Sequence, residues 1–135
     1  MNKILIYRNL WLGFLSWLIP FAISFFCYEP GGELIIEYST FKSLMIVSGT
    51  VSGSFLLYQF FKPVNSNFTF NGLIVGLSWL ALNIILDSII LIPMMKVTFA
   101  TYFMDIGLGY ISIPAISITM GYLVDRKIKN IKNED

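Results

Sequence analysis

A single carboxylate interrupts an apolar run at Ile84-Ile85-Leu86-Asp87-Ser88-Ile89-Ile90-Leu91, with Asn83 one helical turn before it. An acid in such a setting can bind a proton or a metal cation, or it can anchor an internal hydrogen bond or ion pair. Either role must offset a cost of ~2.5 to 3.5 kcal/mol for an ionised acid deep in hydrocarbon. Two structural partners suggest themselves: Asn83, and Lys42 with its long stem reaching down from the end of a second helix. On the functional alternative Asp87 is neutral at rest and takes up a cation or proton during a cycle, with Asn83 beside it.

Asp105, Glu29 and Lys42 are secondary candidates. Asp105 opens the last apolar run, where a carboxylate caps free N–H groups and suits the positive end of the helix dipole, so a capping role is expected. Glu29 begins an acidic connector with Glu33 and Glu37. That connector reads as a solvated loop or as a cation-collecting mouth.

Most other chemistry is excluded by residue type. The chain has no histidine, so it offers no imidazole base, no His-based metal pattern and no Ser-His-Asp triad. A proteolytic dyad would need Asp87 and Asp105 to meet. Side chains lean toward their own helix N-terminus, so on antiparallel neighbours these two point apart. No catalytic residue, metal site or cofactor is expected, and the single cysteine, Cys27, leaves no internal disulfide.

The elements that must position these residues follow from composition. The 135 residues are 56% hydrophobic and 13% charged, with a mean hydropathy of +0.75. That leaves too little polar surface to cover a soluble globule. Four apolar runs, at about 10–28, 43–61, 73–95 and 102–123, each approach the ~20 residues that cross a bilayer as a helix. The expected fold is all-α: one four-helix transmembrane bundle over residues 1–135, with a loop at 29–42 and a tail at 124–135. A closed β-barrel does not fit continuously apolar runs.

Lys3, Arg8, Lys62, Arg126, Lys127, Lys129 and Lys132 are seven of the nine basic residues and fall on one side of such a bundle. The positive-inside rule then places both termini and the 62–72 loop in the cytoplasm and the 29–42 loop outside. The first run is expected to be a retained helix, being longer than the apolar core of a signal peptide. Tyr28, Tyr38 and Tyr102 are expected at the outer interface, and Tyr7, Trp11, Tyr58 and Tyr122 at the inner one.

Small residues mark the packing faces. Gly13, Ser16, Pro20, Ser24 and Cys27 share one side of the first helix, leaving Trp17 and the other large residues toward lipid. Ser48, Gly49, Ser52 and Gly53 cluster on the second, and Gly72, Gly76, Asn83 and Asp87 on the third. The fourth helix is small on two faces, with Asp105, Gly109, Ser112 and Thr119 opposite Gly107, Pro114 and Gly121. Neighbours are expected on both sides of it. Pro20 and Pro114 should kink their helices and free the carbonyls of Ser16 and Tyr110. Ser16-Trp17-Leu18 recurs as Ser78-Trp79-Leu80, a match too short to establish a duplicated hairpin.

The pieces Trp17 to Phe21, Phe41 to Gly49, Trp79 to Asp87, Leu91 to Met94 and Ile106 to Pro114 resemble, in order, motifs of a group of small prokaryotic four-helix integral membrane proteins without an assigned activity. The resemblance implies the fold and carries no substrate, cofactor or site. Two function classes follow. One is a small cation- or proton-linked transporter or channel with Asp87 as its intramembrane site. The other is a non-catalytic scaffold or regulatory subunit. The expected partners are the lipid bilayer and either a second copy of the chain or another membrane subunit, with no nucleic acid.

Overall fold

The computed structural model describes residues 3–134, of which Glu134 is described in its backbone only. Helix α1 (Lys3–Phe25) is followed by α2 (Tyr38–Phe61) and α3 (Phe68–Leu86). Helix α3 continues through a π-helical turn (Asp87–Leu91) into α4 (Ile92–Met95). A short α5 (Phe99–Asp105) and a 3-10 stretch (Gly107–Ile111) lead into α6 (Ser112–Glu134). Four segments, Lys3–Phe25, Tyr38–Phe61, Phe68–Met95 and Gly107–Asn133, are long and apolar enough to cross a membrane. This all-helical architecture is consistent with a multi-pass membrane protein. Large apolar side chains such as Val51, Phe55, Leu77, Ile85 and Ile89 stand exposed on its outside, a surface that calls for an apolar solvent.

The first three helices begin five to seven residues earlier than the apolar runs, at Lys3, Tyr38 and Phe68 instead of about 10, 43 and 73. Hydropathy registers only the oily stretch, whereas the backbone ladder continues through polar residues. The last run departs further from expectation. A single helix over 102–123 is replaced by α5, a break at Ile106 (φ −125°, ψ −50°) and α6. Gly107 and Gly109 follow the break, and glycine weakens a continuous helix. The expected tail is helical through Glu134. Pro114 falls in the first turn of α6, where an amide has no partner within the α-helix, so the mid-helix kink expected there does not arise. Pro20 does lie inside α1.

Glycine sets the packing around α3. A Cβ on Gly72 would run into the Ser117 backbone, one on Gly76 into Ser117 and Pro114, and one on Gly121 into the Phe68 backbone. Helices α3 and α6 therefore approach backbone to backbone, and the Ser117 hydroxyl donates to the Gly72 carbonyl at 2.8 Å across the crossing. On the other side of α3, the Trp79 ring fills the space a Gly13 side chain would need, 2.7 Å from an ideal Cβ position. Helix α2 packs on α1 and closes the bundle more lightly against α6. Gly49 faces Pro20 at 3.8 Å, but a Cβ at Gly53 or Gly109 would meet nothing within 4 Å. Among the described residues of the single chain, Gly53 and Gly109 thus make no tight contact of the kind expected within the bundle. Of the two small faces of the fourth helix, the one with Pro114 and Gly121 grips α3, and the one with Gly109 and Ser112 borders open space.

The buried core, Leu12, Leu56, Leu57, Phe60, Val64, Val75 and Trp79, fills the half of the bundle nearer the termini. There the Asp125 carboxylate accepts from the Phe68 and Thr69 amides (3.1 and 2.7 Å) and from the Thr69 hydroxyl (2.6 Å), tying α6 to the start of α3. At the opposite end the 26–37 connector is closed by a bridge between Tyr28 and Leu34. Its chain reversal uses a left-handed Gly32, φ +85°, a conformation glycine adopts without strain.

Candidate functional site

Asp87 sits at the first position of the π-helical turn and is 1% exposed. Pro93 explains why the turn is wide: it has no amide proton for the carbonyl four residues earlier, and its ring crowds that turn. The π geometry absorbs the conflict and re-aims the side chains around it.

Three neutral donors from three elements converge on this carboxylate. Trp17 Nε1 of α1 donates to Oδ1 at 2.7 Å. The hydroxyls of Tyr102 in α5 and Tyr110 in the 3-10 stretch both donate to Oδ2, each at 2.7 Å. A carboxylate offers about four acceptor positions, so Oδ1 keeps capacity for one more hydrogen bond. Hydrogen bonds to an ionised acceptor are roughly twice as strong as neutral ones, which is how a charge can be held here without a counter-ion.

Neither expected partner's side chain hydrogen-bonds the Asp87 carboxylate, although the Asp87 backbone amide donates to the Asn83 carbonyl. The Lys42 ammonium lies 3.3 Å from Asp105 Oδ1 instead, both side chains being more than a third exposed. Asp105 ends α5 and does not cap a helix; Thr98 caps α5, its side chain accepting from the Thr101 amide. The chain break at Ile106 turns Asp105 toward α2, which brings it to Lys42. Asn83 is fully buried and donates to the Trp79 carbonyl (2.8 Å) and to Ser16 Oγ (3.1 Å). It therefore locks α3 to α1 one turn below Asp87, and among the described residues its own Oδ1 has no hydrogen-bond partner. Glu29 is exposed, with its backbone amide bonded to the Glu33 carbonyl.

Asp87 forms part of the wall of a cavity of about 130 Å³ in the half of the bundle nearer the 26–37 connector. Helix α1 contributes Trp17 and Phe21, α2 contributes Met45, Gly49 and Gly53, and the last segment contributes Tyr110 and Ile113. Lys42 and Asp105 also border it. The Trp17 and Phe21 rings stack with centroids 4.5 Å apart. Tyr28, another wall residue, lies outside the candidate spans. Burial, and then the neighbouring Tyr38 and Cys27, push its phenol above the ordinary range, so it remains a neutral hydroxyl. The lightly packed α2–α6 seam leaves this space, and the missing side chains of Gly53 and Gly109 keep it open.

Sequence reasoning missed Trp17, Tyr102 and Tyr110. Trp17 lay outside the small-residue face of its helix and Tyr102 was read as an interface aromatic; both are buried, at 5% and 1% exposure. The recurring Ser-Trp-Leu was the available signal. Trp79 Nε1 donates to the Asn9 side chain at 2.8 Å, and Ser78 pairs with the same Asn9. Trp17 and Ser16 meet Asp87 and Asn83 in the same manner. Each tryptophan bonds a polar residue of the other helix, and both partners are 70 positions away. The two parallel helices α1 and α3 thus share a reciprocal polar seam. Comparison with protein-family models, curated proteins and solved structures gave no match.

Proposed function

We propose that this chain is a small proton- or cation-linked membrane transporter in which Asp87 binds the cation within the cavity. One observation carries the reading: the buried Asp87 lines the cavity and, among the described residues, no basic side chain pairs with it. A structural acid in hydrocarbon is expected to have a cationic partner, and an unpaired one is costly enough to need a purpose. The tyrosine hydroxyls on Oδ2 can donate or accept, so the clamp tolerates both protonation states of the acid.

The test is proton flux into liposomes holding the purified protein and a trapped pH-sensitive dye. Asp87→Asn should abolish protein-dependent flux while the protein stays folded. Asp105→Asn, which alters an exposed pair, should retain it. Equal flux in wild type and Asp87→Asn would end the transport reading.

A second reading is favoured by the same clamp, because three donors tie α1 and the 99–111 segment to α3. On it Asp87 is a rivet in a scaffold or regulatory subunit that works with a second copy or another membrane protein. Asp87→Asn would then lower thermal stability and leave no transport phenotype.

A further inference from the structure

We infer that the cavity beside Asp87 takes a small organic ammonium ion, a protonated amine about the size of benzene with one apolar group. The inference rests on the reading of Asp87 as a cation site and names the class of its ligand.

Size sets the first limit. The cavity measures about 130 Å³, whereas an engineered apolar cavity of ~150 Å³ in another protein accepts benzene. Wall chemistry sets the second. Phe21, Met45, Met94 and Ile113 offer dispersion contacts, and the rings of Trp17 and Tyr110 offer a cation–π surface beside the carboxylate.

Charge and hydrogen bonding narrow the class further. Among the described residues Asp87 is the one acid of the cavity not matched by a base, since Lys42 and Asp105 pair with each other at 3.3 Å. One net negative charge suits a monocation. Calcium would need six to eight oxygen ligands and magnesium a near-octahedral set, and both favour more carboxylate charge than the single unmatched acid supplies. The Oδ1 atom accepts one bond from Trp17 and keeps acceptor capacity for a second, which an N–H donor can use and a quaternary ammonium cannot. An ammonium that satisfies this position while its apolar group lies along the stacked Trp17–Phe21 pair uses the unmatched acid and the aromatic wall together.

Equilibrium dialysis with the detergent-solubilised full chain tests this. The probes are benzylamine, the isosteric neutral benzyl alcohol, benzoate and potassium ion. Benzylamine should bind tighter than benzyl alcohol by about ten- to hundredfold, the worth of a charge-assisted hydrogen bond, and benzoate should bind more weakly still. Asp87→Asn should remove the preference. Gly53→Leu should abolish benzylamine binding without loss of helix content, because nothing lies within 4 Å of the added Cβ and the side chain fills the cavity. Binding of benzyl alcohol as tight as benzylamine would overturn the ammonium class, and so would displacement of benzylamine by millimolar potassium. Unchanged binding in Gly53→Leu would overturn the site. If the amine preference holds while Asp87→Asn leaves proton flux untouched, the ammonium site stands and the transport reading falls. If flux depends on Asp87 but no amine preference is found, the reverse holds.

Discussion

Trp17→Phe isolates one strand of the clamp on Asp87. Phenylalanine keeps most of the ring volume and the stack on Phe21 at 4.5 Å, but it removes the indole N–H that lies 2.7 Å from Oδ1. If the acceptor is ionised, the lost bond is worth about 1.5 to 3 kcal/mol, against about 0.5 to 1.5 for a neutral one. Asp87→Asn makes the acceptor neutral while allowing all three contacts to re-form, because each tyrosine hydroxyl can accept from the new amide. The same Trp17→Phe change should therefore cost less in that background. The expected coupling is ~1 to 1.5 kcal/mol, near the upper end of values from double-mutant cycles in membrane proteins, where the largest is ~1.7. Reversible unfolding by detergent titration of wild type, both single variants and the double variant gives the four free energies required. A coupling below about 0.3 kcal/mol, the scatter expected of independent sites, would refute an indole bond to an ionised Asp87.

Three further outcomes follow from the packing and the charge pattern. Gly72→Ala pushes a Cβ into the Ser117 backbone and should destabilise by about 1 to 3 kcal/mol, whereas Gly53→Ala meets nothing and should be neutral or gain up to ~1 from helix propensity. Unfolding curves that rank the two alanine variants the other way would place the close helix contact elsewhere. Lys42→Met breaks an ion pair whose side chains are 37% and 39% exposed, so stability should move by no more than ~1 kcal/mol, because such pairs are screened by solvent. A larger loss in the same unfolding assay would mean that Lys42 serves the buried site after all. In a Cys27→Ser background, single cysteines at Asn65 and Asn130 should be labelled from one side of a vesicle and one at Gly31 from the other, with Asn65 and Asn130 cytoplasmic by the charge bias.

The four apolar segments were legible because continuous apolar runs of spanning length have few other uses, and Gly72 and Gly76 marked a packing face of the third helix, though not that α6 would be the helix against it. Asp87 was legible as an anomaly, an acid where acids are costly. Its partners were not. A helical wheel orders the residues of one helix but says nothing of the connector that follows. It was the break at Ile106 that carried Tyr102 and Tyr110 to Asp87 and Asp105 to Lys42. Trp17 was sorted with lipid-facing aromatics by its bulk, although an indole N–H needs an acceptor when it is buried. Gly53 was read as a contact because small residues pack; a small residue also leaves space when no neighbour advances into it.

The central claim is that Asp87 exchanges a cation with the cavity while its clamp stays in place. Difference infrared spectroscopy on the protein in lipid vesicles reads this directly, as the change in the carboxylate stretching bands on adding benzylamine at fixed pH in wild type and in Asp87→Asn. A shift of carboxylate bands belonging to Asp87 is expected on adding benzylamine to wild type, absent from Asp87→Asn and not produced by benzyl alcohol. Carboxylate bands that benzylamine leaves unmoved in wild type would contradict a cation site at Asp87.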